Sequence, residues 1–144
     1  MKLKAIIILL ILISTLTVVY AADLNNLNLP DNFEKISNMT YNNKETGEKL
    51  DLIDVSEELN SFTVNETELR EKVHPTNKEN IYSFTDEINN MSYCGELIKV
   101  NEINYIVKIS VKGNANESKI KNMTDTLTKF NELNNFTAVN PNTL

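Results

Sequence analysis

Cysteine is almost missing from this chain. Cys94 is the only one, so a disulfide framework within one chain is excluded and the fold has to rest on packing. A lone cysteine with no pairing partner behaves as a small hydrophobe, and Cys94 is expected to be buried and inert. His74 is the only histidine, which excludes a His-rich metal site. It also leaves Cys94 with His74 as the sole nucleophile–base pair on offer. Cys94 is expected in mid-strand and His74 at an exposed helix end, so that pair is the weaker reading. Glycine and proline number three each, which argues against a flexible linker. The glycines at 47, 95 and 113 are isolated, so no phosphate-cradling loop exists. Gly-x-Ser-x-Gly, His-Glu-x-x-His and Cys-x-x-Cys are all absent, and no motif calls for a cofactor. Tryptophan is absent too, and the tyrosines and phenylalanines are spread at core spacing, which leaves little support for a stacked carbohydrate platform.

Long apolar runs are missing after the first 22 residues. Within those residues the pattern is tripartite. Lys2 and Lys4 precede an unbroken apolar run from Ala5 to Ile13, and Val19-Tyr20-Ala21 ends the segment with small residues at both recognition positions. This is the layout of a signal peptide, with cleavage after Ala21 or Ala22. Retention as an anchor is the alternative, because 5–22 approaches the ~20 apolar residues that span a bilayer. Cleavage leaves one domain, 23–144, long enough to bury a core. Lysine and arginine total 14 against 20 aspartates and glutamates. The signal takes two of the lysines, so the mature balance is 12 against 20. A domain this acidic is a poor partner for nucleic acid or anionic lipid, and its charge reads as a solubility device.

Along the mature chain, 23–32 reads as a polar lead-in ended by Pro30-Asp31. Phe33–Tyr41 and Lys49–Val55 read as a hairpin around the turn Asn42–Gly47. Asn65 is expected to cap a short helix that Pro75 ends. Ile81–Thr85 reads as a strand with Tyr82 and Phe84 on one face, and Tyr93–Val100 with Tyr105–Val111 as a second hairpin. In its last strand Tyr105, Val107, Ile109 and Val111 alternate with Ile106, Lys108 and Ser110, implying one buried and one mostly wet face. Ile120, Met123, Leu127 and Phe130 follow three- and four-residue steps and predict an amphipathic helix over 116–133. Leu127 and Phe130 are expected to pack on Val107 and Ile109. Phe136–Val139 reads as a short edge strand. The expected fold is α+β in the order β-β-α-β-β-β-α, a single antiparallel sheet with the C-terminal helix on one face.

Three segments carry a resemblance: Leu29-Pro30-Asp31-Asn32-Phe33-Glu34-Lys35, the hairpin Gly95–Val100 with Tyr105-Ile106-Val107, and the tail Phe130–Asn135. Together they resemble an uncharacterised family of small secreted or surface proteins of methanogenic archaea. The resemblance implies an archaeal secreted or cell-surface location and an anaerobic exterior, and it brings no catalytic residues.

The carboxylates Asp51, Asp54, Glu57, Glu58, Glu66, Glu68, Glu71, Asp86 and Glu87 are read as solvated faces. The stretch 86–90 lacks the glycine and ligand spacing of a calcium loop. Asn-x-Ser/Thr recurs at Asn38, Asn65, Asn90, Asn116, Asn122 and Asn135. In an exported chain these are candidate glycosylation sites, although an asparagine-rich composition generates such triplets by chance. Asn122 is expected to face water, Asn116 to cap the helix, and Asn38 and Asn135 to be the weaker sites. Three functions remain open: a non-enzymatic secreted or cell-envelope domain that binds or coats, an extracytoplasmic hydrolase using carboxylates with no recognisable motif, or a membrane-tethered accessory protein if the signal is retained.

Overall fold

A computed structural model describes residues 24, 26–55 and 73–140. The signal segment, the expected helix after Asn65 and the glutamates from 57 to 71 lie outside the described residues. Among the described residues there are eight strands and one helix: β1 (Phe33–Ser37), β2 (Thr40–Asn43), β3 (Lys49–Asp54), β4 (Val73–Pro75), β5 (Ile81–Asp86), β6 (Met91–Val100), β7 (Ile103–Lys112), α1 (Glu117–Asn134) and β8 (Thr137–Ala138). The strands form one sheet in the order β1-β2-β3-β7-β6-β5-β4, every pair antiparallel, with β8 joined to β6. This is the expected α+β class, one antiparallel sheet with the C-terminal helix packed on one face.

Several details differ from the sequence reading. Phe33–Tyr41 is not one strand: Asn38 and Met39 turn the chain between β1 and β2, with Met39 at φ 62°. Val73 and His74 belong to β4, an edge strand, rather than to a helix. Proline is tolerated on an edge strand, and among the described residues β4 has only β5 as a sheet neighbour. The reverse face of β7 is not wet: Ile106 and Ser110 are buried there, as are its sheet neighbours Leu97 and Tyr93.

Asparagine does much of the work that glycine does elsewhere. Asn26, Asn32, Asn80, Asn90, Asn101 and Asn135 all have positive φ. The left-handed region is open to asparagine at lower cost than to most side chains, and these residues close turns in a chain with three glycines.

The main core lies between the sheet and α1. Leu50, Leu52, Val107, Ile109, Met123, Leu127 and Phe130 belong to it, and the lead-in leucines 24, 27 and 29 pack against it. Asn116 caps α1 by accepting from Lys119 N at 2.8 Å, and Glu117 sits in the first turn, where the helix dipole favours a negative charge. At the other end Asn135 takes φ 54° and Phe136 N donates to Asn131 O at 3.0 Å. That cap sets the Phe136 ring edge-on against Phe130, 5.7 Å between centroids. The lead-in is tied to the same helix end: Asn28 N donates to Asn134 Oδ1 at 2.7 Å, and Asn134 Nδ2 donates to Asn28 O at 2.8 Å.

Candidate functional site

The register of β6 creates the site. Alternation along this strand points Cys94, Glu96 and Ile98 toward α1. One edge of β6 is covered by β7 along its whole length. On the other edge β5 ends opposite Glu96, where Ile81 is its partner, and β8 begins opposite Ile98. Only Leu97 lies between these two pairings, and its carbonyl accepts from Val139 N at 2.9 Å, so β5 gives way to β8 just past Glu96, beneath the last turns of α1. A groove of about 490 Å³ opens at that changeover, with Glu96, Thr128 and Asn131 inside and Ile81 and Phe136 as apolar walls. Lys78, Glu79 and Glu132 are exposed residues on its rim.

Glu96 is only 5% exposed. Its Oε1 accepts from Asn131 Nδ2 at 3.0 Å. Burial pushes its carboxyl up to about 7, and the hydrogen bond from Asn131 only partly offsets this. Two polar atoms in the groove are buried without a hydrogen-bond partner, Asn131 Oδ1 and Thr128 Oγ1. Leaving such atoms unpaired costs free energy that a ligand or water can recover.

One turn back along α1 the same interface is closed. Cys94 is fully buried, with Sγ 3.8 Å from Thr124 Oγ1. Thr124 Oγ1 already donates to Ile120 O at 2.8 Å, so its lone pair is left to accept the thiol proton. Burial pushes the Cys94 thiol up to about 12, the opposite of what an activated nucleophile needs. His74 lies in the same lateral row of the sheet, but Ser83 stands between them in the register. Two strand spacings separate their backbones by about 10 Å.

A second buried carboxyl, Glu48, follows Gly47 in the β2–β3 turn and is 6% exposed. Burial raises its pKa, opposed in part by the Thr126 and Thr46 hydroxyls. It lines a different groove, of about 500 Å³, with Met123 and Thr126. Glu48 and Glu96 thus face separate openings. Neither stood out among the carboxylates of the sequence, although the place of Glu96 between Cys94 and Ile98 on an alternating strand was a signal of burial. Asp51, read as solvated, is half-buried and accepts from Thr40 Oγ1 at 2.7 Å. Among the described residues no group of three or more His, Cys, Asp or Glu side chains is arranged to hold a metal ion.

Of the asparagine triplets, Asn38, Asn90, Asn116, Asn122 and Asn135 are all exposed. Asn38 lies in the β1–β2 turn rather than in a strand, Asn90 before β6, Asn122 on the outer side of α1, and Asn116 and Asn135 at its two caps. Asn65 and the Ala21 and Ala22 cleavage positions lie outside the described residues, and among those that are described no helix is long and apolar enough to cross a membrane. In comparisons with known proteins, no family model, no curated protein and no solved structure matches this chain.

Proposed function

We propose that this is an exported domain that works outside the cytoplasm, at the cell envelope or in the medium, by binding rather than by catalysis. The observation that carries the binding part is the Glu96 groove, where two unpartnered buried atoms and a buried carboxyl sit beside the point at which β5 gives way to β8. Export rests on the N-terminal pattern and agrees with the resemblance to secreted archaeal proteins. Fractionation of native cells with N-terminal sequencing tests the location. The chain should be found outside the cytoplasm and begin at Ala22 or Asp23. A cytoplasmic chain that begins at Met1 or Lys2 would overturn export, and an envelope-bound chain that begins there would favour a tethered accessory protein.

Glycosylation belongs to the same reading, and the exposure of Asn122 and Asn116 supports it. A glycan on the Asn116 nitrogen leaves Oδ1 free to go on capping α1. Mass spectrometry of the native protein decides, and bare Asn122 and Asn116 peptides would remove glycosylation from the account.

The hydrolase reading keeps one observation in its favour. Glu79 and Glu132 share a groove with Glu96, whose pKa is raised toward the range of a general acid. It requires turnover of a glycoside or ester that Glu96→Gln abolishes.

A further inference from the structure

The groove has a chemical preference that can be read from its atoms. Asn131 Oδ1 is an acceptor only, and Asn131 is more than nine-tenths buried. Its amide nitrogen is already committed to Glu96. Thr128 Oγ1 can accept as well, and an ionised Glu96 offers only acceptors. A ligand that satisfies this floor has to bring several donors on one compact head. The walls above the floor, Ile81 and Phe136, are apolar and suit a short hydrocarbon stem. The charge on the lining has the matching sign, with Glu79, Glu96 and Glu132 set against Lys78.

We infer that the Glu96 groove seats a primary ammonium group on a short alkyl stem, its N–H groups directed to Asn131 Oδ1, Thr128 Oγ1 and the Glu96 carboxylate. This rests on the reading of the chain as a binding domain and names the class of ligand. An ammonium has three donors in a tetrahedral head, one for each of these acceptors. A quaternary ammonium carries the charge without the donors, and an alcohol carries a donor without the charge, so both should bind poorly. Lys78 is the nearest competitor, because its own ammonium sits on the rim.

Seating a cation also couples binding to protons. The groups that face Glu96 are Cys94 on its own strand, Lys78 and Glu79 from the β4–β5 loop, Glu132 and the neutral Asn131 from α1, and more remotely Glu48. Burial keeps Cys94 protonated and uncharged, and it pushes the Glu96 carboxyl up to about 7. The ammonium prefers the ionised carboxyl, so affinity should fall as pH drops below about 7.

The experiment is a titration of the full chain with n-butylammonium, followed by heteronuclear NMR at the Asn131 side-chain amide and the Glu96 carboxyl. The expected result is saturable binding with a Kd of about a millimolar, weakened up to about fiftyfold between about pH 7 and about pH 5. Thr128→Val, which removes an unpartnered hydroxyl at nearly constant volume, should keep the fold and weaken binding about threefold to tenfold. Lys78→Met should strengthen it. Equal binding of n-butyltrimethylammonium or n-butanol would overturn the ammonium assignment. So would shifts unchanged by Thr128→Val, or no response to any amine, the last leaving a water-filled groove. Each of these results leaves the location test untouched, so failure of the ligand class and failure of export are read separately.

Discussion

Cys94 and Glu96 are two residues apart on one strand, face the same helix and are almost equally buried, yet they are in opposite situations. Over Cys94 the interface is sealed. Thr124 closes it from α1, Ile109 stands opposite on β7, and the thiol is held in its neutral form at any ordinary pH. Just past Glu96 the neighbouring strand changes from β5 to β8, and a groove opens there. Burial raises both pKa values. For a thiol this removes reactivity, whereas for a carboxyl it moves titration into the range where a cell's surroundings vary. The lesson is that burial alone does not define a site. What separates the two positions is the change of neighbouring strand just past Glu96, together with partners left unsatisfied.

The largest expected effect lies at the sealed end. With its thiol raised to about 12, Cys94 should react with a thiol reagent about a thousandfold more slowly in the native chain than in denaturant. Rapid labelling of the folded protein would show that this end is open as well and erase the contrast. Next comes Leu127, which sits on α1 between Thr124 and Asn131 and is fully buried. Leu127→Ala should destabilise by about 2–4 kcal/mol and loosen both ends. An unchanged denaturation midpoint would mean that the helix does not hold them.

A smaller effect, with a distinctive pH dependence, belongs to Glu96→Gln. The native carboxyl titrates at about 7 against an ordinary value of 4.5, so between these values the folded chain binds more protons than the unfolded one. Stability should therefore fall as pH rises through that window. A full shift of this size corresponds to about 3 kcal/mol, and the open groove reduces it. Glu96→Gln should stabilise by about 1–2 kcal/mol above neutrality and by almost nothing near pH ~4.5, as chemical denaturation at several pH values would show. The smallest change is Thr128→Val, whose hydroxyl has no partner to lose. Removing a buried, unpaired hydroxyl at nearly constant volume should stabilise by up to about 1 kcal/mol.

The sequence made some of this contrast legible. The period-two pattern of Tyr105–Val111 and the three- and four-residue steps of Ile120, Met123, Leu127 and Phe130 are local signals, and both elements form where those signals place them. Met39 was not legible, because a turn closed by methionine at positive φ carries none of the usual turn chemistry. The buried reverse face at Ile106 was hidden for another reason. Alternation shows which residues share a face, but which faces are covered is decided by segments distant in sequence. The groove is the clearest case, since it depends on where β5 stops and β8 starts along β6, two positions more than fifty residues apart in the chain.

The most direct test of the open and sealed ends is the titration of the Glu96 carboxyl itself, followed by NMR in the full chain without ligand. A midpoint at about 7, well above the ordinary glutamate value of 4.5, is the result this account predicts. A midpoint near 4.5 would place Glu96 in free contact with water and contradict it.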